Sequence, residues 1–293
     1  VQRSDDPAIE VIQRVIAQYP GADLSLVVGQ HSTAANPKVA NLANMLACAK
    51  YDLLFIADAD MRVDRTYLAT VSAEFSSDRV GAATCLYVGV PRGGLASELG
   101  AMHLNDQFAP SVLVATLGGP PRFCFGSTMA VRRNALDAIG GIAALEPHLA
   151  DDYMLGALVS AHGYRVALSR YVVRNVIAER SVPALLEHEL RWARTIRSVQ
   201  TAGYAFSFVT FPLPFAIVWF ALAPASAGAW IALALLLALR AAMHYAARDA
   251  LGAREKPPVW LLPLRDCLGL GVWAAGLFGT TVMWKNEERS ISP

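Results

Sequence analysis

The chain has 293 residues, 55% of them hydrophobic and only 17% charged, with a mean hydropathy of +0.37. Twenty-five basic against 24 acidic residues leave a net charge of +1, so there is no electrostatic case for nucleic acid as a partner. A wholly soluble surface with so little charge would be poorly protected against aggregation, and membrane-facing segments are expected instead. The first residues, Val1-Gln2-Arg3-Ser4, show neither an initiator methionine nor a leader pattern, so a fragment or trimmed chain is expected. Cys48, Cys85, Cys124 and Cys267 are far apart, without metal-ligand spacing. Buried thiols in a reducing compartment are expected.

In the first part of the chain, helix-like and strand-like stretches alternate. Ile9, Ile12, Val15 and Ile16 recur at helical spacing within Ala8–Gln18. Leu24–Val28 is a short β-rich run ending at Gly29. Asn36-Pro37 is a helix start, with asparagine as N-cap and proline in the first turn, and Val39, Leu42, Ala43 and Leu46 then share a face. Lys38 is placed to meet phosphate oxygens at that helix N-terminus; a solvated surface lysine is the alternative. Leu53–Ala57 is apolar without alternation, which suits a strand buried on both faces of a parallel sheet. Asp64 is expected to cap a further helix carrying Leu68, Val71 and Phe75. The fold class is α/β with a Rossmann-like sheet, in which ligands bind beyond the carboxyl ends of the strands.

Asp58 and Asp60 lie at such a strand end. Residues i and i+2 leaving a strand point to the same side, so both carboxylates can converge on one cation. Close carboxylates repel unless neutralised, and Mg2+ or Mn2+ favours oxygen ligands completed by substrate phosphates. Taken alone, the same spacing reads equally well as an acidic turn. Gly118-Gly119-Pro120-Pro121 reads as a turn, Cys124 between two phenylalanines as core, and Met102-His103 with Asn105-Asp106-Gln107 as a polar patch suited to acceptor selectivity.

From Tyr204 the chain turns strongly apolar. Phe206–Ala223 and Trp230–Ala247 each approach the length of a membrane helix, about 20 residues. Val259–Trp284 is a third such stretch, with Arg265 and Asp266 near its start. These two residues either precede a span beginning at Cys267 or lie buried against protein. The expected organisation is a hydrophilic domain over 1–203 and a membrane region over 204–293 with two to three spans. Arg191, Arg194 and Arg197 precede the first span, and Arg248, Arg254 and Lys256 follow the second. The positive-inside rule puts both groups, and the hydrophilic half, on the cytoplasmic side. Arg194 and Arg197 are also placed to touch anionic headgroups.

A set of short stretches runs through the chain in a specific order: Asp5-Asp6-Pro7-Ala8-Ile9, Asn36-Pro37-Lys38-Val39-Ala40-Asn41-Leu42, Asp58-Ala59-Asp60, Gly126-Ser127-Thr128-Met129, Ala150-Asp151-Asp152-Tyr153, His188-Glu189-Leu190-Arg191-Trp192 and Leu261-Leu262-Pro263-Leu264-Arg265-Asp266. In this order the chain resembles the ceramide glucosyltransferase family of GT-A glycosyltransferases, and within it most strongly the bacterial hopanoid-biosynthesis glycosyltransferases. The resemblance implies a multi-pass protein of the bacterial inner membrane, with a helix and a first strand before Val1. It implies that Asp6 contacts the nucleotide base and that Asp58 and Asp60 hold metal and diphosphate. Asp152 matches the general base, and Asp151 stands where relatives often carry Glu. Arg191 and Trp192 close a Gln-x-x-Arg-Trp motif near the membrane surface, with His188 in the place of Gln. The implied reaction is transfer of Glc or GlcNAc, with inversion, from a UDP-sugar to a lipid hydroxyl. A hopanoid acceptor leads and ceramide is second. A positioned carboxylate suits a poor hydroxyl nucleophile, and a divalent ion with Arg191 suits the departing diphosphate. A reading from another class is a non-catalytic membrane module that binds nucleotide sugar.

Overall fold

The computed structural model describes residues 1, 3–29, 36–253, 258–284 and 287–290. Helix α1 (Ala8–Gln18) forms where the spacing predicts, yet buries none of its residues. Leu24–Val28 enters no sheet; instead Val1 pairs alongside it, its amino group donating to Val27 O at 2.9 Å and its carbonyl accepting from Gly29 N–H at 2.8 Å. Helix α2 (Pro37–Leu46) starts as expected. The Asn36 side chain accepts from the Lys38 and Val39 amides, and proline occupies the first turn. Val39 and Ala40 are buried and Leu42 and Leu46 pack beside them, while Ala43 faces solvent.

The main sheet contains β1 (Leu53–Ile56), β2 (Met61–Arg62), β3 (Val80–Pro91), β4 (Met129–Arg132) and β5 (Arg165–Ile177), in the spatial order β1-β4-β3-β5-β2. Long strands β3 and β5 run parallel, whereas β1 is antiparallel to β4, with Phe55 opposite Ala130. The expected parallel neighbour of β1 is therefore corrected. Its apolar run has another cause, because both faces are covered. Leu54 and Ile56 pack with the Val39 and Leu155 core, and Leu53 and Phe55 with the core built on Val71 and Phe75. Helix α3 (Tyr67–Ala73) is anchored by Tyr67 and Val71, while Leu68 is exposed. Asp64 acts one step before the helix, accepting from Thr66 N–H at 2.8 Å.

After β3 come α4 (Leu95–His103), a π-helical turn (Leu104–Phe108) and α5 (Ala109–Thr116). Helix α6 (Arg133–Ala138) follows β4, and α7 (Asp151–Ala161) leads into β5. The Gly118–Pro121 segment is an exposed turn up to Pro120. Cys85 and Cys124 are buried as expected, but Cys48 and Cys267 are exposed.

Helix α8 (Val182–Val199) begins at Ser181, whose hydroxyl caps Ala184 N–H, and leads into the apolar half. The Phe206–Ala223 stretch divides between α9 (Thr201–Phe206) with a short extension and α10 (Pro212–Leu222), bent by 49° at the break. Trp230–Ala247 lies within α11 (Ala227–Ala250). This is the one helix among the described residues that is by itself long and apolar enough to cross a membrane; the bent α9–α10 pair is a second candidate. Only 17% of the apolar window of α11 is buried, unlike a soluble core helix. The third apolar stretch does not form one long helix. Helix α12 (Leu262–Gly276) stops after 15 residues, and the chain continues into a hairpin of β6 (Thr281–Trp284) and β7 (Glu287–Ser290).

Arg265 and Asp266 are buried against protein, the second of the two expected placements. Arg265 forks onto Glu189 of α8 at 2.7 and 2.8 Å, and Asp266 accepts both ends of the Arg240 fork from α11 at 2.8 and 2.7 Å. His244 of α11 meets Asp106 of the π-helical turn at 2.8 Å. Bidentate geometry makes the two arginine pairs strong ones. Arg194 and Arg197 donate to carbonyls of Leu277, Phe278, Gly279 and Thr281. They therefore complete the carboxyl end of α12, where cations are favoured, rather than reaching headgroups. Arg248 is buried, and Arg254 and Lys256 lie outside the described residues.

Breaking one partner of a buried pair leaves an uncompensated charge. Glu189→Gln should cost about 3–5 kcal/mol, whereas the joint change Glu189→Leu with Arg265→Met should cost far less. Denaturant midpoints of the detergent-solubilised chain check this. Equal losses in both variants would contradict it.

Candidate active site

Four distant segments meet at Gly126, in the loop before β4. Its carbonyl accepts from Asp58 N–H at 3.2 Å, and its N–H donates to Asp152 Oδ2 at 2.8 Å. A Cβ here would lie 2.6 Å from Asp58 Oδ2 and 3.4 Å from Lys38 Nζ, so glycine is what allows this close approach. Asp151 and Asp152 form the first turn of α7, where the helix dipole favours negative charge. The other Asp152 oxygen accepts from Tyr153 N–H at 2.7 Å.

Lys38 joins these carboxylates, its Nζ lying 2.9 Å from Asp58 Oδ1 and 3.3 Å from Asp151 Oδ2. It is half-buried, so the solvated alternative is set aside. Asn36, besides capping α2, donates to His148 O at 2.8 Å and to Asp151 Oδ1 at 3.4 Å. One asparagine thus ties the start of α2 to the start of α7.

Asp60 lies on the far side of the β1–β2 turn. Its carboxylate accepts from Asn175 Nδ2 at 3.1 Å, and its carbonyl from Val176 N–H at 3.0 Å. It opens on a small cleft lined also by Asn175, Glu179, His188 and Trp192. His188 Nδ1 is 2.6 Å from Glu179 Oε1, and its ring centroid is 4.2 Å from that of Trp192. Arg191, on the same helix, is half-buried within the field of Asp58, Glu179 and Glu187.

These surroundings shift the acids apart. Burial, reinforced by Asp151, pushes the Asp152 carboxyl up to about 6. Burial also raises Asp151, with Lys38 opposing, and partial burial raises Asp60, with the Asn175 hydrogen bond opposing. Burial works against the Lys38 charge, but Asp151, Asp58 and Asp152 outweigh it and keep the ammonium protonated. Glu179 is lowered by its bond to His188.

The structure therefore brings together Lys38, Asp58, Asp151 and Asp152, sets Asp60 and Trp192 on one cleft, and places Arg191 nearby. Asp6 stands apart: its side chain accepts from Ala8 N–H at 2.9 Å, and no hydrogen bond or ion pair among the described residues links it to the cluster. The Asn105-Asp106-Gln107 patch is corrected. Asn105 and Asp106 are buried, with Asn105 bridging Gly89 N–H and O, so they are structural. Among the described residues no group of three or more His, Cys, Asp or Glu side chains is arranged to hold a metal; Asp58 and Asp60 offer two carboxylates.

The family model of glycosyl transferase family 21 matches residues 1–293. The chain belongs to this family. Ceramide glucosyltransferase 3 of Caenorhabditis elegans is 27% identical over 195 residues, covering 65% of this chain and 42% of that relative. Ceramide glucosyltransferase 1 of the same organism is 24% identical over 192 residues, covering 65% and 41%. The match thus spans less than half the length of either relative. Among solved structures, a mannosyltransferase from Pyrobaculum calidifontis in complex with GDP-Man and Mn2+ aligns with a TM-score of 0.53 at 20% identity, covering 94% of this chain and 74% of that one. That likeness shows a shared fold.

For this member of family 21, sequence reasoning left Asn175 and Glu179 out of the site and gave Asn36 and Gly126 no role in it. Asn175 lies inside the long strand β5, and only the pairing of Met61 with Asn175 brings it to Asp60. Gly126 carried a usable signal, a glycine between Phe125 and Ser127 just ahead of a strand, which points to a close backbone approach.

With a folded-state pKa near 6 against an unfolded value of about 3.9, native Asp152 holds more proton than the unfolded chain between roughly pH 4 and 6. Its contribution to stability therefore declines as pH rises through that window. Asp152→Asn should gain stability relative to the parent as pH is raised from 4 to 6.5. A difference between the two that does not vary with pH would contradict this.

Proposed function

We propose that this chain transfers a hexose, Glc or GlcNAc, from a UDP-sugar to a hydroxyl of a membrane lipid, with inversion at the anomeric carbon. The observation that carries the reading is Asp152, a carboxyl raised to about 6 and held by Gly126, the same residue that anchors Asp58. Such an acid is deprotonated near neutral pH and still basic enough to take the proton of an attacking hydroxyl.

The remaining residues fit the donor. Asp58 and Asp60 form an oxygen-only set suited to Mg2+ or Mn2+, and Lys38 Nζ already supplies positive charge at Asp58. A divalent ion held there would offset the charge of the diphosphate. Mn2+ in the solved mannosyltransferase supports this choice. Arg191 and Lys38 supply cations for the departing diphosphate, Trp192 offers an aromatic face to a sugar ring, and Asp151 holds Lys38 in place. Asp6 is assigned to the nucleotide base by family resemblance.

Membrane attachment is supported by exposed apolar side chains on α10 and α11, among them Phe215, Trp219, Leu222, Trp230, Ile231 and Leu235. In this reading α11 spans the bilayer, the bent α9–α10 pair supplies a second span or re-entrant element, and the chain is a multi-pass protein of the bacterial inner membrane. The basic residues around α8 put the catalytic part on the cytoplasmic side. A hopanoid is the leading acceptor. Ceramide is the second, favoured by the names of the Caenorhabditis relatives. Lipid extracts of cells with and without the protein decide between them, through loss of a glycosylated hopanoid or of a glycosylceramide.

Asp152→Asn should lower UDP release by about 10²–10⁴-fold while UDP binding stays close to the parent. Unchanged turnover would sink the base assignment. Because the base must be ionised, kcat/KM should fall roughly tenfold per pH unit below about 6; a profile flat down to pH 5 would contradict it.

A further inference from the structure

Tyr87 is half-buried in β3, flanked by Leu86 and Val88, which are 6% and 2% exposed. Three sets of contacts place it at the centre of the site. Its ring centroid is 4.7 Å from that of Phe108 and, edge-on, 6.1 Å from that of Phe125. Phe125 directly precedes Gly126, which holds Asp58 and Asp152. Tyr87 also packs with Leu104 and Ile177, which line the cleft that Asp60 opens on. In the sheet it lies opposite Val173, two residues before the Asn175 that holds Asp60. The ring thus stands between the Asp58–Asp152 side of the site and the Asp60 side.

Its hydroxyl has no hydrogen-bond partner among the described residues, whereas those of Tyr67, Tyr153 and Tyr171 each have one. Burial first, then Asp152, Asp58 and Asp60, keep that hydroxyl protonated far above the usual phenol range. A phenol that stays protonated among carboxylates, yet donates to none of them, is a donor awaiting an anionic oxygen.

We propose that the Tyr87 hydroxyl donates a hydrogen bond to the diphosphate oxygen that leaves with the nucleotide, between the Asp58–Asp152 side of the site and Asp60. This rests on the nucleotide-sugar reading above and adds to it a catalytic residue. No proton is transferred. The O–H stays on tyrosine while charge grows on the oxygen as the glycosidic bond breaks, so the bond strengthens towards the transition state. Phe108 and Phe125 fix the ring, which limits the reorganisation needed.

Tyr87→Phe tests this cleanly, because it deletes the hydroxyl and keeps the ring in its packing. Binding of UDP and of uridine, each with Mn2+, is measured by calorimetry for parent and variant, together with the melting temperature and the rate of UDP release. The expected result is UDP affinity weakened about tenfold or more, uridine affinity and melting temperature unchanged, and kcat lowered about 10²-fold or more. Equal UDP affinity and turnover in parent and variant would overturn the proposal and leave the nucleotide-sugar reading standing. Parallel losses of uridine binding and melting temperature would overturn it in favour of a packing role. A parent that binds no UDP would remove the nucleotide-sugar reading itself, and this assignment with it.

Discussion

Everything at the candidate site depends on one charge imbalance. A single ammonium, Lys38, faces Asp58 and Asp151, with Asp152 beside them, and Gly126 donates to the Asp152 carboxylate while its carbonyl accepts from the Asp58 backbone N–H. One positive charge does not balance three acids in a partly desolvated space. The structure relieves the excess with backbone donors and the α7 dipole, and by raising Asp152 until it titrates near 6. What remains is an excess of negative charge around Asp58 and Asp151, with a carboxyl of raised pKa at Asp152. That asymmetry suits a reaction that binds a cation with a diphosphate at one end and removes a proton at the other.

A second constraint joins this site to the apolar helices. Helix α8 carries Trp192 to the cleft, Arg191 into the field of Asp58, and Glu189 into a buried fork with Arg265 of α12. Arg240 and Asp266 then tie α11 to α12, and His244 and Asp106 tie α11 back to the π-helical turn after α4. Buried pairs of this kind add little net stability over apolar packing, but each accepts only one register. The register of α8 against α12 is thereby set by polar groups.

Local signals in the sequence were legible where a single element determined them. The Asn36-Pro37 cap, the period of α1 and the length of α11 all appear where their patterns place them. The nearness of Asp58 and Asp152 could be expected only through family resemblance, since no spacing relates residues 58 and 152. Composition misled where lipid and protein look alike as surroundings. Val259–Trp284 reads as a span or as a segment with Arg265 and Asp266 buried against protein; α12 has 15 residues, with that pair buried and Arg194 bonded to carbonyls beyond its end. Apolar strands likewise do not report direction, so β1 gave no sign of its antiparallel neighbour. Tyr87, Asn175 and Glu179 were beyond reach because their roles come from strand register and ring packing between segments tens of residues apart.

A single carboxylate base acting on an incoming hydroxyl requires direct displacement at the anomeric carbon. The anomeric configuration of the transferred sugar, read by proton NMR of the glycolipid made by the purified chain from an α-linked UDP-sugar, therefore tests the account most directly. A β-linked product is expected. An α-linked product would mean that the sugar passes through a different mechanism, and that Asp152 is not the base described here.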